Sequence, residues 1–425
     1  MADNKKTKRV KPDLPGGFRD YAHGDAQLKQ WIVDTARQTF ASFGFEPLET
    51  SSVQKTDVLT GGEADSQKII FNVRGSQDKG EDADTSLRFD LTVPLARFIA
   101  ANPEIPRPFK RYEIGRVWRG ERQQAGRYRE FTQADIDIIG AASPVADAEI
   151  IAVIYTTLKN LGIEKFIIAI NDRKELDALP SFAGFDQEKL WDALRIIDRQ
   201  DKSGRSGVAD ELQKEFGKES TEKIMAFLAT PPETTGTLAQ IAALLGAMGI
   251  NEQYWRIDRS LVRGLSYYTG AVFETVLTDA REIGSVFGGG RYDDLVMSFT
   301  GQKIPAVGVS LGVDRLIAGC DRLGLKPDMD TRSRTALILN LIPDAEQEYL
   351  AMADEVRSAG VACSIYLGDD VSFQAQLAYA LKKEMAYVVI RGAEEQQKGT
   401  VSIKNLQTRE QKEMPREQLK EYFLK

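Results

Sequence analysis

Alternation of apolar and polar positions is clearest in the middle of the chain. FKRYEIGRVWRGERQQAGRYREFTQADID, from Phe109 to Asp137, starts with strand-like alternation, breaks at the polar, Gly-containing stretch 123–127, and resumes as a second strand from Tyr128 to Ile136. A long hairpin is predicted. On its return strand Gln133, Asp135 and Asp137 fall to one side, while Ile136 and Ile138 fall to the other. Polar groups on the inward side of a sheet are costly unless something polar meets them, as a bound substrate would.

Helical periodicity appears earlier, over Asp25 to Phe43. The apolar stripe there is Leu28, Trp31, Ile32, Ala36 and Phe40, and Gly44 stands at the C-terminal cap. A strand around Phe45 to Glu49 follows, then a short strand from Lys68 to Val73 and an acidic connection from Ser76 to Ser86. LRFDLTVPLARFIA, from Leu87 to Ala100, reads as a strand ending in Asp90 and Thr92. A carboxylate and a hydroxyl two positions apart suit an ammonium group, and the aspartate equally suits a cap for the next helix. A further helix begins at Ser143 with Pro144 in its first turn, buries Ile150, Ile154, Leu158 and Leu161, and closes at Gly162.

A strand over Lys165 to Ile170 leads into residues of about 172–254, which carry helical periodicity and many charges but no chemical constellation. This reads as a helical insertion whose charges serve solvation or touch RNA. After a polar linker at Leu325 to Arg334, a separate βα pattern starts at Ala336 to Ile342. Strands at Val361–Tyr366, Tyr387–Arg391 and Thr400–Lys404 alternate with helices at Ala345–Ser358 and Val371–Glu384, which predicts a small α/β domain with a mixed sheet.

Composition narrows the class. With 425 residues, 42% hydrophobic and 28% charged, the chain has room for two or three ordinary globular domains. It lacks an apolar run long enough to span a bilayer, and Cys320 and Cys363 offer neither a disulfide framework nor metal-ligand spacing. No membrane association and a reducing, cytoplasmic compartment are expected. The net charge of −7 argues against a surface coated for nucleic acid but allows a local basic patch. Lys5, Lys6, Lys8, Arg9 and Lys11 form a basic leader that serves either RNA or solubility.

The hairpin also carries Arg116, Arg119, Arg122, Arg127 and Arg129. Guanidinium forks match phosphate oxygens bidentately, so a polyphosphate is a natural guest; interleaved Glu113, Glu121 and Glu130 equally permit a solvated, salt-bridged hairpin. Farther on, Ile257 to Val276 places Arg263 before Gly264, with Tyr267 and Tyr268 on opposite faces of a strand. The three glycines of SVFGGGRYDDL, Ser285 to Leu295, lack P-loop spacing and let a strand lie close to a ligand or a helix.

Taken together these stretches resemble a known family. Arg119-x-Glu121, a loop, then Arg129-x-Phe131 resembles motif 2 of class II aminoacyl-tRNA synthetases. RGLSYYTGAVFE and GGGRYDDL resemble two signature motifs of histidyl-tRNA synthetases, and AVGVSLGVDRL, Ala306 to Leu316, resembles motif 3. The helix and strand near Phe45 resemble motif 1, the dimer-forming element, with Ser51 and Gln54 where the family usually has proline and glutamate.

The resemblance implies a class II synthetase-like α+β catalytic domain on a mostly antiparallel sheet over 1–330, with its helical insertion at about 172–254. It implies that 331–425 is an α/β anticodon-binding domain, in which Ser372, Phe373, Gln374 and Ala375 replace a usual basic pair. The implied reaction is ATP-dependent activation of L-histidine to histidyl-adenylate and its transfer to the 3′ end of tRNA(His) by a homodimer. Mg2+ is expected with ATP, through ligands that are unknown.

The roles implied are Arg119 and Arg263 as catalytic residues and Arg119, Glu121, Arg127, Phe131 and Arg315 as ATP contacts. Histidine would meet Asp90, Thr92, Gln133, Asp137, Arg263, Tyr267, Tyr268 and Tyr292, with Asp137 and Tyr268 reading the imidazole. One alternative is a catalytically silent, histidine-binding paralogue that regulates a phosphoribosyltransferase. Such paralogues generally lose the ATP-contacting arginines and the C-terminal domain, which are present here. The other is an amino-acid ligase with a non-tRNA acceptor, which the weakly basic stretch at Ser372 leaves open.

Overall fold

A computed structural model describes residues 10–424 except 62–68, 76–83, 122–127, 231–235, 263–267 and 327–333. The chain divides into two compact units, 1–325 and 326–425.

The first unit is built on an eight-stranded sheet. Its strands are β1 (Glu46–Pro47), β5 (Phe109–Trp118), β6 (Glu130–Ile139), β7 (Phe166–Asp172), β8 (Trp255–Ile257), β9 (Ala271–Leu277), β10 (Ser285–Arg291) and β11 (Ala306–Gly312), in the order β1-β5-β6-β11-β10-β9-β7-β8. The inner pairings are antiparallel, and the edge pairings β1 with β5 and β7 with β8 are parallel. A small antiparallel sheet of β2 (Val53–Lys55), β3 (Phe71–Val73) and β4 (Thr85–Leu87) lies in the order β2-β4-β3.

The sheet is two-sided. Ala134, Ile136 and Ile138 of β6 join the main apolar core with the helices His23–Ser42 and Pro144–Asn160, which contribute Ile32, Phe40, Ile150 and Ile154. Both helices end on a glycine with positive φ, Gly44 at 77° and Gly162 at 70°, as a C-terminal cap in the left-handed region requires. Ser143 caps the second helix by accepting from the Val145 N–H at 3.3 Å. The opposite face of β6 carries the predicted polar row.

Two local expectations change. The strand before Asp90 stops at Leu87, and Thr92 opens the helix Thr92–Ala101, so Asp90 and Thr92 are not two positions on one pleat. Asp90 instead accepts from the Val93 N–H at 3.1 Å, because a free N–H in a first turn outcompetes strand continuation. Tyr268 precedes β9, which begins at Ala271, so it is not fixed to a strand face.

Between β7 and β8, the helices Arg173–Leu176, Leu179–Ala183, Leu190–Ile197 and Gln200–Ala229 gather around Leu194, Leu212 and Phe227 as a separate apolar cluster. Gly204 and Gly217 interrupt the longest of them at φ of 70° and 76°. The following helix, Gly236–Ala247, differs: its Leu238, Ile241 and Leu245 pack into the main core.

The second unit has a mixed five-stranded sheet, β13-β12-β14-β15-β16, from β12 (Thr335–Ile338), β13 (Ala362–Ile365), β14 (Tyr387–Ile390), β15 (Thr400–Asn405) and β16 (Gln411–Pro415). β12 pairs in parallel with β13 and β14, and the remaining pairings are antiparallel. Helices Glu346–Ser358 and Phe373–Lys382 cover it, and Ser372 caps the latter through the Ala375 N–H.

Candidate active site

Cross-strand register sets the floor of the site. On β6, Gln133, Asp135 and Asp137 lie opposite Gly115, Glu113 and Arg111 of β5. Their partners on β11 are Gly312, Ser310 and Gly308, and the last two lie opposite Gly288 and Gly290 of β10. Side chains of directly opposed residues share a face. At these positions the face carries charged groups, an amide, a hydroxyl and glycines.

The glycines clear space that the polar groups occupy. A Cβ on Gly308 would fall 1.9 Å from Asp137 Oδ1, and one on Gly115 would fall 2.3 Å from Arg88 Nη2. Gly290 lets the Tyr268 ring approach; a Cβ there would meet Tyr268 Cδ1 at 3.0 Å. Buried Gln133 Oε1 and Asp135 Oδ1 have no hydrogen-bond partner, and Asp137 Oδ2 sits at ion-pair distance from Arg111 without hydrogen-bond alignment. Orphaned acceptors on one cleared face are the mark of a polar ligand site.

The face has two ends. At one, the Arg119 guanidinium lies 5.1 Å from the Phe131 ring centroid, held by Nε donating to the Phe89 carbonyl at 3.0 Å. Arg119 forms no ion pair with a carboxylate among the described residues, whereas Arg116 is exposed and paired with Glu130 at 3.1 Å. The salt-bridged alternative thus applies to Arg116 and not to Arg119. Gly312, which faces Gln133, leads into the helix Val313–Leu323, whose Arg315 Nη1 donates to the Ser285 carbonyl at 2.7 Å. At the other end, the Tyr292 hydroxyl donates to Asp137 Oδ1. From Phe131 to Asp137 the strand advances about 20 Å, room for a nucleotide and an amino acid end to end.

The profile of the Histidyl-tRNA synthetase family matches residues 17–316, and that of the Anticodon binding domain matches residues 335–425. A histidine–tRNA ligase of Paracoccus denitrificans is 38% identical, the alignment covering 95% of this chain and 92% of that one. One of Wolinella succinogenes is also 38% identical, over 96% and 97%. The crystal structure of histidyl-tRNA synthetase from Nostoc sp. PCC 7120 superposes with a TM-score of 0.82 at 30% identity, covering 98% of this chain and 99% of that one. The chain belongs to the histidyl-tRNA synthetase family.

Within this histidyl-tRNA synthetase family member, most of the predicted residues converge on the polar face. Arg119 and Phe131 touch each other, Gln133 Nε2 donates to Ser310 Oγ at 2.6 Å, and Asp137 and Tyr292 are bonded. Tyr268 and Tyr292 share a buried apolar cluster with Leu95 and Val272. Asp90 is linked electrostatically to Arg119, Arg111 and Asp137, which places it beside the same floor. Thr92 is half-buried at the helix start. Glu121 is exposed; its backbone carbonyl accepts from Arg129 Nε at 3.2 Å. Arg127, Arg263 and Tyr267 lie outside the described residues.

Burial dominates the electrostatics. It pushes the Asp135 carboxyl up to about 8 and that of Asp90 up to about 6, against the pull of Arg111 on the first and of the Val93 N–H, Arg119 and Arg111 on the second. Asp137 is raised by burial too, with Arg111 and Tyr292 opposing.

Two clusters had no distinct signal in the sequence. Arg111 is fully buried, Nη2 lying 2.8 Å from Asp137 Oδ2. Asp314 accepts from the Thr132 N–H at 2.8 Å, Arg19 Nη2 at 3.0 Å and the Tyr21 hydroxyl, joining the segment at Arg19 and Tyr21 to the return strand beside Arg315. Alternation along β5 marks Arg111 as a charged residue facing away from the core, and only the fold reveals that its face is covered. No group of three or more His, Cys, Asp or Glu among the described residues is arranged to hold a metal ion.

Proposed function

We propose that the chain activates L-histidine with ATP to histidyl-adenylate and transfers the histidyl group to the 3′ end of tRNA(His). The observation that carries this reading is the polar row of β6, with orphaned buried acceptors running from Arg119 and Phe131 to Asp137 and Tyr292. In the first step a histidine carboxylate oxygen bonds to the α-phosphorus and pyrophosphate leaves. In the second, a terminal tRNA hydroxyl attacks the carbonyl carbon and AMP leaves. Neither step needs a covalent bond to the protein; positioning and charge neutralisation lower the barrier.

Arg119 and Arg263 would grip the α-phosphate, Arg315 the γ-phosphate, and Glu121, Arg127 and Phe131 the rest of the nucleotide. Asp90, Thr92 and Gln133 would take the ammonium. Asp137 would read one ring nitrogen and Tyr268 the other, with Tyr267 and Tyr292 lining the pocket. Mg2+ would arrive on the ATP phosphates, which supply ligands of the kind it favours; the described residues offer it no cage of their own.

We further propose that the chain works as a homodimer in the cytoplasm, through the element near Phe45, and that 331–425 contacts the anticodon. No described helix is long and apolar enough to cross a membrane.

Histidine-dependent exchange between pyrophosphate and ATP, with other amino acids as controls, tests activation. Histidine binding without exchange would favour the silent regulatory paralogue. Exchange without charging of purified tRNA(His) would favour a ligase with another acceptor.

A further inference from the structure

One guanidinium lies beneath the amino-acid end of the site and reaches both of its halves. Arg111 Nη2 donates to the Leu91 carbonyl at 3.2 Å and lies 2.8 Å from Asp137 Oδ2. Leu91 separates Asp90 from Thr92, the pair assigned to the ammonium, and Asp137 is assigned to the imidazole. On its other side, Nη1 is 3.7 Å from Glu113 Oε2. Glu113 is itself fixed by Arg88 Nη1 at 2.7 Å and by the Thr50 N–H at 3.0 Å. Arg111 Nε and Nη1 have no hydrogen-bond partner and stay buried, so the guanidinium is retained by charge more than by hydrogen bonding.

We infer that Arg111 is a positioning residue for histidine selection, one that sets the spacing between the ammonium and imidazole contacts and draws Asp137 toward its ionised, hydrogen-bond-accepting form. The inference rests on the proposed function and deepens it. Asp137 receives the Tyr292 hydroxyl on Oδ1 and faces Arg111 on Oδ2. A proton on Oδ2 would set donor against the Arg111 N–H, and one on Oδ1 would force the Tyr292 hydroxyl to turn and accept. In its ionised form the carboxylate can only accept, so it pairs with a ring N–H of neutral imidazole and leaves a side chain without such a donor unmatched.

The groups facing Asp137 are Arg111 and Glu113 from β5, Asp135 from β6, Asp90 from the turn before the helix Thr92–Ala101, and Tyr292 from the segment after β10. Arg111 is the cation of that set. Without it three further carboxyls surround Asp137, and burial then favours its protonated form.

The test uses the full chain with Arg111→Gln and Arg111→Lys, pyrophosphate exchange between about pH 6 and 9, and thermal melts to identify folded variants. Arg111→Gln should raise the histidine KM at least about tenfold at pH 7 and leave the ATP KM within about twofold. The histidine defect should shrink as pH rises and Asp137 ionises. Arg111→Lys should keep the parent's pH profile while recovering only part of the affinity, because an ammonium cannot span Leu91 and Asp137 as a fork does. A folded Arg111→Gln protein with the parent's histidine KM at every pH overturns the inference, as does an equal loss for histidine and ATP that ignores pH. If Arg111→Gln does not fold, a folded Arg111→Lys protein with the parent's histidine KM overturns it. A parent protein that shows no histidine-dependent exchange defeats the proposed function instead.

Discussion

The hydroxyl of Tyr292 donates to Asp137 Oδ1, joining residues 155 positions apart. Both are buried, at 3% exposure each. Tyr292→Phe removes the hydroxyl and keeps the ring in its apolar cluster, so the fold should survive. A hydrogen bond to a charged group contributes roughly 1.5–3 kcal/mol, so the histidine KM should rise about tenfold or more. Steady-state pyrophosphate exchange, with histidine and ATP varied separately, should place the loss on histidine. An unchanged histidine KM would remove Tyr292 from the pocket.

Gly308 has no room for a side chain. A Cβ there would stand 1.9 Å from Asp137 Oδ1 and 2.7 Å from the Ile136 carbonyl oxygen, and the latter is backbone that cannot swing away. Gly308→Ala should therefore displace β11 from β6 and lower both thermal stability and histidine affinity. Overpacking of this kind costs about 1–3 kcal/mol. A melting temperature and histidine KM equal to the parent's would contradict the close approach of these strands.

Asp135 gives stability a pH dependence of definite sign. Burial pushes its carboxyl from 3.8 up to about 8. Between those values the folded chain keeps a proton that the unfolded chain has released. The associated stability is full below 3.8 and is lost as pH rises through about 8. Asp135→Asn cannot ionise, so its melting temperature should fall less than the parent's between pH 5 and about 8.5. Parallel melting curves across that range would show that Asp135 does not carry the proton.

Asp314 ties the segment at Arg19 and Tyr21 to the site. Replacing it with alanine removes the carboxylate partner of Arg19, Tyr21 and the Thr132 N–H at once, leaving Arg19 its bond to the Tyr128 hydroxyl. Loss of one partner of a buried ion pair costs about 3–5 kcal/mol, and the partial exposure of Arg19 reduces this to roughly 2–4 kcal/mol. The expected result is a lower melting temperature and faster proteolysis around Arg19, with Asp314→Asn milder in both. Unchanged proteolysis would mean that the segment is held elsewhere.

How much of this was legible in sequence depended on how local each signal is. The hairpin, the polar row of Gln133, Asp135 and Asp137, and the helices capped at Gly44 and Ser143 follow from periodicity and short-range chemistry. Asp90 has two local uses, and the helix claimed it through the Val93 N–H. The pairing of Asp137 with Tyr292, and the burial of Arg111 behind them, depend on strands brought together from distant segments. No window of sequence contains those contacts. The alternating charge at Arg111 looks like any solvent-facing residue until β6 and the turn at Leu91 cover it.

A crystal structure with histidine and a non-hydrolysable ATP analogue bound tests the central claim most directly. It should show the imidazole against Asp137, the ammonium between Asp90 and Gln133, the adenine against Phe131, and the triphosphate passing Arg119 toward Arg315. Histidine bound with its ring away from Asp137, or a triphosphate that touches neither Arg119 nor Arg315, would contradict the account.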